Sequence, residues 1–123
     1  MERQAMRKLE KWKNNPVRKP LIIRGARQVG KTWLMKEFGK RFFANVAYVN
    51  FDNNERMQQV FQGDFEIKRL IAALQIESGV AISTHNTLLI FDEIQEVPQA
   101  LTSLKYFHEN APEYAIIAAG SLL

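Results

Sequence analysis

The sequence lacks cysteine, has few histidines and contains no long apolar run. The absence of cysteine among 123 residues excludes disulfides and thiolate metal sites, and it agrees with the reducing cytoplasm. No apolar run approaches the roughly 18 residues of a membrane span, and the N-terminal segment MERQAMRKLEKWKNN has no apolar core of a signal peptide. The two histidines, His85 and His108, form no zinc-ligand or Ser-His-Asp spacing. We therefore expect a cytoplasmic protein with no membrane partner.

Basic residues are concentrated at one end of the chain. Residues 1–41 hold 13 of the 17 Lys and Arg but 3 of the 13 Asp and Glu, a net charge of +10 against −6 for the remainder. Such a segment attracts an anionic partner, and a nucleic acid is a possible one. The alternative is a solvated helix face together with lysines that serve phosphates. We favour the alternative, because no aromatic interleaving or reading motif accompanies the charge.

A glycine-rich stretch, LIIRGARQVGKT, runs from Leu21 to Thr32 and contains the pattern G-x-x-x-x-G-K-[ST]. An apolar run precedes the pattern and a helical period over 33–42 follows it, which is the context of a phosphate-binding P-loop. Backbone N–H groups at a helix N-terminus bind anions, the lysine reaches the β- and γ-phosphates, and the threonine hydroxyl is a Mg²⁺ ligand. The predicted nucleotide-binding residues are Gly25, Ala26, Arg27, Gln28, Val29, Gly30, Lys31 and Thr32.

The remaining periodicity alternates between strands and helices. Strands are predicted over 21–24, 46–51, 87–91 and 114–119, and helices over 2–14, 33–42 and 54–62. A fourth helix is predicted to follow Asp64, its N-cap, and to end at Gly79. A fifth helix is predicted to begin at Pro98 and to end before Pro112. The strand at 87–91, TLLIF, is apolar at every position, which implies burial on both faces. The sequence thus predicts a three-layer α/β fold with a parallel sheet.

The third strand leads into an acidic pair, LLIFDE, the Walker B pattern of P-loop proteins. Asp92 is expected to hold Mg²⁺, mostly through water, and Glu93 to act as the general base toward the attacking water. No guanine-reading motif is present, and the adjacent glutamate is typical of the ATPase branch. That branch places strand four between strands one and three, so the expected strand order is 1-4-3-2.

Two further polar residues are placed near the site by this order. Ser121, at the end of strand four, would lie between Lys31 and Asp92, the place of the "sensor 1" residue; the alternative is a turn serine. Asn50, at the end of strand two, would hydrogen-bond Glu93 and restrain it; an ordinary strand-ending asparagine is the alternative, and we favour it. Both residues are candidate catalytic residues beside Glu93 and Lys31.

Four segments, RKPLIIRGARQVGKTWLMKEFG, NVAYVNFDNN, NTLLIFDEIQEVPQALTSLKYF and YAIIAAGSLL, together resemble the AAA-type ATPase domain of a group of poorly characterised prokaryotic ATP-binding proteins. Those proteins also carry a C-terminal domain of unknown function. The resemblance implies binding of ATP and Mg²⁺ and ATP hydrolysis through the matched motifs. Together with the helical period of Ala5, Leu9 and Trp12, it predicts an N-terminal amphipathic helix, 1–16, and an ATPase core, 17–123.

The resemblance also implies that a complete domain would extend further. A fifth strand, a helical lid and an arginine finger would follow, so we expect residues 1–123 to be a fragment with weak hydrolysis and an exposed edge strand that favours homo-oligomers. The expected function is an ATPase module that drives or switches a partner domain. The alternatives are a nucleotide-dependent binding switch with little turnover and a nucleic-acid motor, since Asp92 to Gln95 resembles the Walker B motif of one helicase superfamily.

Overall fold

In the part of the chain that the structure describes, four parallel strands form one sheet and five helices cover its two faces. The structure is a computed structural model that describes residues 2–24 and 30–121. The strands are β1 (Leu21–Ile23), β2 (Asn45–Asn50), β3 (Thr87–Asp92) and β4 (Ala115–Ala119), and the helices are α1 (Glu2–Lys13), α2 (Lys31–Phe42), α3 (Glu55–Gln62), α4 (Ile67–Ser78) and α5 (Pro98–Asn110). A short 3-10 helix, Ile94–Glu96, follows β3. No helix in these ranges is long and apolar enough to cross a membrane.

The strand order is β1-β4-β3-β2, which confirms the predicted order and fold class. In the register of the sheet Ile23 lies beside Ala119, and Asn50 lies beside Asp92. All residues of the central strands β3 and β4 are buried. Because every strand runs in the same direction, the carboxyl ends of β1, β2, β3 and β4 lie along one edge of the sheet, and the predicted site residues follow these ends.

The side chains of β3 alternate between two separate apolar layers. Leu88 and Ile90 pack in the cluster formed with α1 and α2, whereas Leu89 and Phe91 pack in the cluster formed with α3, α4 and α5. This alternation is the period of two expected of a strand. Burial on both faces explains why the sequence of β3 is apolar throughout. The fold therefore has three layers, with the sheet in the middle.

Helix α2 approaches the sheet closely at Gly39. A Cβ at that position would come within 3.0 Å of Val46 Cγ2 and lie 3.1 Å from Leu88 Cδ2. Only a residue without a side chain fits such a gap. The first turn of α2 carries Lys31 and Thr32, so this close packing also sets the distance between the P-loop lysine and threonine and the end of β3.

The predicted N-cap of α4 is wrong by two residues. The cap is Glu66, whose carboxylate accepts hydrogen bonds from the backbone N–H groups of Lys68 and Arg69. Asp64 instead accepts from the backbone N–H of Glu66 and from Nε of Arg69, at 3.1 and 2.9 Å. Asp64 and Glu66 are both acidic residues near the start of this helix. The hydrogen bond from the charged Arg69 side chain holds Asp64 outside the helix.

Candidate functional site

Helix α2 begins directly behind the P-loop, and its first turn contacts the end of β3. Gly30 precedes the helix with φ of 97°, in the left-handed region that glycine adopts without strain. Lys31 is the first residue of the helix. The Thr32 hydroxyl donates a hydrogen bond to Oδ2 of Asp92 at 2.7 Å. The structure thus brings together the predicted threonine and aspartate, although 60 residues separate Thr32 from Asp92 in the chain.

The Asp92 carboxylate accepts three hydrogen bonds and is buried, with 6% of its surface exposed. Oδ2 accepts from Thr32 and from the Tyr48 hydroxyl, both at 2.7 Å, and Oδ1 accepts from the backbone N–H of Glu93 at 3.0 Å. These contacts fix the plane of the carboxylate. Tyr48 was not among the predicted site residues. The signal available in the sequence was its place on β2, two residues before Asn50 and on the same face of the strand.

The environment of Tyr48 raises the pKa of its phenol well above the ordinary value. Burial is the largest cause, and the hydrogen bond to Asp92 and the charge of that carboxylate are the next ones. On the other side, Lys36 Nζ lies 4.0 Å from the centre of the Tyr48 ring, a cation–π contact. The phenol therefore stays protonated at neutral pH and remains a hydrogen-bond donor to Asp92.

Glu93 occupies a strained backbone position immediately after β3. Its φ and ψ are 53° and 45°, in the left-handed region, where a non-glycine residue is uncommon. Its Oε1 accepts hydrogen bonds from Gln95 Nε2 at 2.8 Å and from the Ser121 hydroxyl at 3.2 Å. Ser121 therefore contacts Glu93, whereas its place between Lys31 and Asp92 stays a prediction. Gln95 is a second residue that orients this carboxylate, and it was not among the predicted site residues.

Asn50 does not restrain Glu93 in the part of the chain that the structure describes. Its side-chain oxygen accepts from the backbone N–H of Asp52 at 2.9 Å, and Asn50 is exposed. Although Asn50 pairs with Asp92 across the sheet, its side chain turns back to its own loop. Among the described residues no hydrogen bond joins Asn50 to Glu93, and the local bond to the backbone agrees with the favoured alternative, a strand-ending asparagine.

Five of the predicted nucleotide-binding residues lie outside the described residues: Gly25, Ala26, Arg27, Gln28 and Val29. For the metal, the residues present fit Mg²⁺. A hydroxyl oxygen and a carboxylate meet at the site, and Mg²⁺ prefers oxygen ligands, of which proteins usually supply one or two. Among residues 2–24 and 30–121, no group of three or more His, Cys, Asp and Glu is placed to hold a metal ion.

The fold and the site define the class of protein. A parallel sheet in the order β1-β4-β3-β2, a Gly-Lys-Thr sequence at the start of α2 and an acidic pair at the end of β3 form a P-loop nucleotide-binding domain. The chain belongs to the AAA family, because the family described as "AAA domain" matches residues 17–123. Membership supports a nucleotide-dependent function of the ATPase type.

Among solved structures, the chain is similar to C. elegans PCH-2, with 14% identity and a TM-score of 0.50. The match covers 98% of this chain and 34% of that one. At this identity the likeness concerns the fold alone. This chain spans about a third of the length of that chain. No curated protein matches the chain.

Proposed function

We propose that this chain binds Mg-ATP and hydrolyses it, and that hydrolysis drives or switches a partner domain. The observation that carries the proposal is the 2.7 Å hydrogen bond between Thr32 and Asp92. It joins the end of the P-loop to the end of β3, so the residues expected to contact phosphate and metal already meet. The Asp92 side chain accepts from two hydroxyl groups as well as from the next backbone N–H, so its orientation at the end of β3 is well defined.

Each residue has a distinct role in the proposal. Backbone N–H groups of Gly25 to Gly30 cradle the phosphates, and Lys31 supplies a positive charge to the β- and γ-phosphates. Thr32 and Asp92 would hold the Mg²⁺, Asp92 mostly through water. When bound, the metal neutralises charge on the β- and γ-phosphate oxygens.

Glu93 accepts the proton of the attacking water. The hydrogen bonds from Gln95 and Ser121 to Oε1, at 2.8 and 3.2 Å, orient this carboxylate at the end of β3. Ser121 follows the end of β4, which lies between β1 and β3. We assign it the sensor role: it would couple the presence of a γ-phosphate to the orientation of Glu93.

Several finer features belong to the same proposal. The N-terminal helix, residues 1–16, is assigned as an addition to the ATPase core, 17–123, and the chain is placed in the cytoplasm. AAA domains often form oligomers, and we propose a homo-oligomer here. The resemblance to prokaryotic ATP-binding proteins with a C-terminal domain of unknown function supplies the partner domain. A nucleotide-dependent switch with little turnover is the alternative, and phosphate release at saturating ATP distinguishes the two.

A nucleic-acid partner is a second candidate, and the distribution of charge favours it. Helices α1 and α2, which cover the same face of the sheet, contain nine Lys and Arg and three Glu. These two helices therefore carry most of the basic excess of the N-terminal third of the sequence. If this layer binds phosphates of a nucleic acid, single-strand binding must weaken steeply with salt. Binding that is absent at low salt would exclude this candidate.

The direct test is nucleotide binding by a Lys31→Ala variant. Removing the charge on the β- and γ-phosphates should abolish measurable Mg-ATP binding in calorimetry while the circular dichroism spectrum stays unchanged. Lys40→Ala is the matched control, because Lys40 is an exposed lysine of the same helix. Unchanged affinity in Lys31→Ala would exclude the P-loop as the nucleotide site. Equal losses in both variants would indicate a general charge effect instead.

A further inference from the structure

We propose that Tyr48 is a positioning residue for Mg²⁺ binding, acting through Asp92; this inference rests on the proposed function. The Tyr48 hydroxyl donates to Oδ2 of Asp92 at 2.7 Å, the same distance as the Thr32 hydroxyl. The Thr32 hydroxyl is itself an expected ligand, and the third donor, the Glu93 N–H, belongs to the neighbouring residue. Tyr48 is therefore the donor whose role at the site is to hold the carboxylate.

The geometry of the sheet explains how Tyr48 reaches Asp92. Tyr48 pairs with Ile90 across β2 and β3, and Asp92 lies two residues further along the same face. Such a diagonal neighbour is about 7 Å away and within reach of an aromatic side chain. A phenylalanine would fill the same space but would leave the carboxylate without its second hydroxyl donor.

Helix α2 fixes the tyrosine from the opposite side. Thr32 and Lys36 are one helical turn apart, so they lie on the same face of α2. Thr32 shares the carboxylate oxygen with Tyr48, while the ammonium of Lys36 lies 4.0 Å from the centre of the Tyr48 ring. The helix that begins with the P-loop residues thus holds both ends of the Tyr48 side chain, and the phenol links that helix to the metal-binding carboxylate.

The consequence concerns the orientation of Asp92. Hydrogen bonds to an ionised acceptor are short and strong, and outer-shell donors to a metal-binding carboxylate commonly change metal affinity by about 10- to 100-fold when they are removed. Each carboxylate oxygen has about two acceptor positions. Oδ2 already uses both, so the free position of Asp92 lies on Oδ1, and Tyr48 helps to determine which oxygen faces the metal and its water.

The competing explanation is that a part-buried phenol merely needs a partner. In that case Tyr48→Phe would lower thermal stability and leave metal binding alone. The two explanations therefore differ in one measurable quantity, the Mg²⁺ affinity of the nucleotide complex. Tyr106→Phe is the matched control, since it deletes the same hydroxyl on α5, in the helical layer that covers the other face of the sheet.

The experiment measures binding of a fluorescent ADP analogue, first in EDTA and then with increasing MgCl₂. We expect Tyr48→Phe to raise the apparent Mg²⁺ dissociation constant by about 10-fold or more, with metal-free binding and the Tyr106→Phe control unchanged. In an Asp92→Ala background the Tyr48→Phe change should have no further effect, because Tyr48 acts through that carboxylate.

Three results would overturn the inference. The first is an unchanged Mg²⁺ dissociation constant in a folded Tyr48→Phe variant. The second is a loss of nucleotide affinity in EDTA as large as the loss with Mg²⁺. The third is an effect of Tyr48→Phe that persists in the Asp92→Ala background. If the unmodified chain binds the analogue equally with Mg²⁺ and with EDTA, the magnesium part of the proposed function fails, and the inference fails with it. If Mg²⁺ strengthens binding to the unmodified chain but Tyr48→Phe is silent, the inference fails alone.

Discussion

Replacing Gly39 with alanine tests how closely α2 packs on the sheet. The added methyl group would come within 3.0 Å of Val46 Cγ2 and lie 3.1 Å from Leu88 Cδ2. Val46 has a β-branched side chain with a restricted χ1 angle, so it does not swing aside at low cost. Either the helix moves away from the strand or Val46 leaves its preferred rotamer.

The expected change in the free energy of unfolding is the difference between two opposing effects. Overpacking of this kind costs about 1–3 kcal/mol, whereas alanine favours a helix over glycine by about 1 kcal/mol. At an exposed helical site the substitution would therefore stabilise the protein. Here the difference is a net loss of up to about 2 kcal/mol, which lowers the melting temperature by up to roughly 8 °C for a domain of this size.

Thermal unfolding followed by circular dichroism measures the effect, and a double-mutant cycle identifies its cause. Val46→Ala removes the methyl group that clashes, so it should cost less in the Gly39→Ala background than alone, with a coupling energy of about 1 kcal/mol. A higher melting temperature for Gly39→Ala would refute the reasoning. It would mean that α2 lies further from β2 and β3, and that Thr32 is not held against Asp92 in this way.

Three other substitutions have defined outcomes. Glu93→Gln should bind ATP but release no phosphate, because an amide does not accept the proton of water; equal turnover by both proteins would exclude Glu93 as the base. Asn50→Ala should leave the basal rate unchanged, since its side chain bonds to the backbone of Asp52; a faster rate would reinstate it as a restraint on Glu93. Glu77 accepts hydrogen bonds from Arg56 that hold its pKa below the usual range. That stability is present above the unfolded-state pKa and is lost as pH falls through the folded-state pKa. Urea unfolding should therefore find Glu77→Gln about 1 kcal/mol less stable at pH 7 and no less stable in strong acid, whereas a loss independent of pH would contradict this account.

The strands and their order were predictable because they depend on patterns that span several residues. The apolar run of β3 admits few environments other than the middle of a parallel sheet. The P-loop and the acidic pair then restrict the strand order, and the contact between Thr32 and Asp92 at 2.7 Å agrees with both. These features are properties of whole segments, and a single hydrogen bond does not alter them.

Individual side-chain partners were not predictable in the same way. The contact of Tyr48 with Asp92 depends on the register between β2 and β3, and a shift of one residue would turn the phenol to the other face. Asn50 and Asp64 each have a local partner that competes with a more distant one: the backbone N–H of Asp52 for Asn50, and the N–H of Glu66 with the Arg69 side chain for Asp64. Small differences in geometry decide which of two such partners a side chain binds.

Because the backbone at Glu93 is left-handed, stability and ATP hydrolysis favour different residues at this position. A left-handed conformation costs a residue with a Cβ about 1–2 kcal/mol, whereas asparagine adopts it more readily. Selection for stability alone would therefore favour asparagine or glycine after β3. Glutamate at this position indicates a stability–function trade-off. The expected signature is a Glu93→Asn variant that melts no earlier than the unmodified protein and yet has lost its turnover.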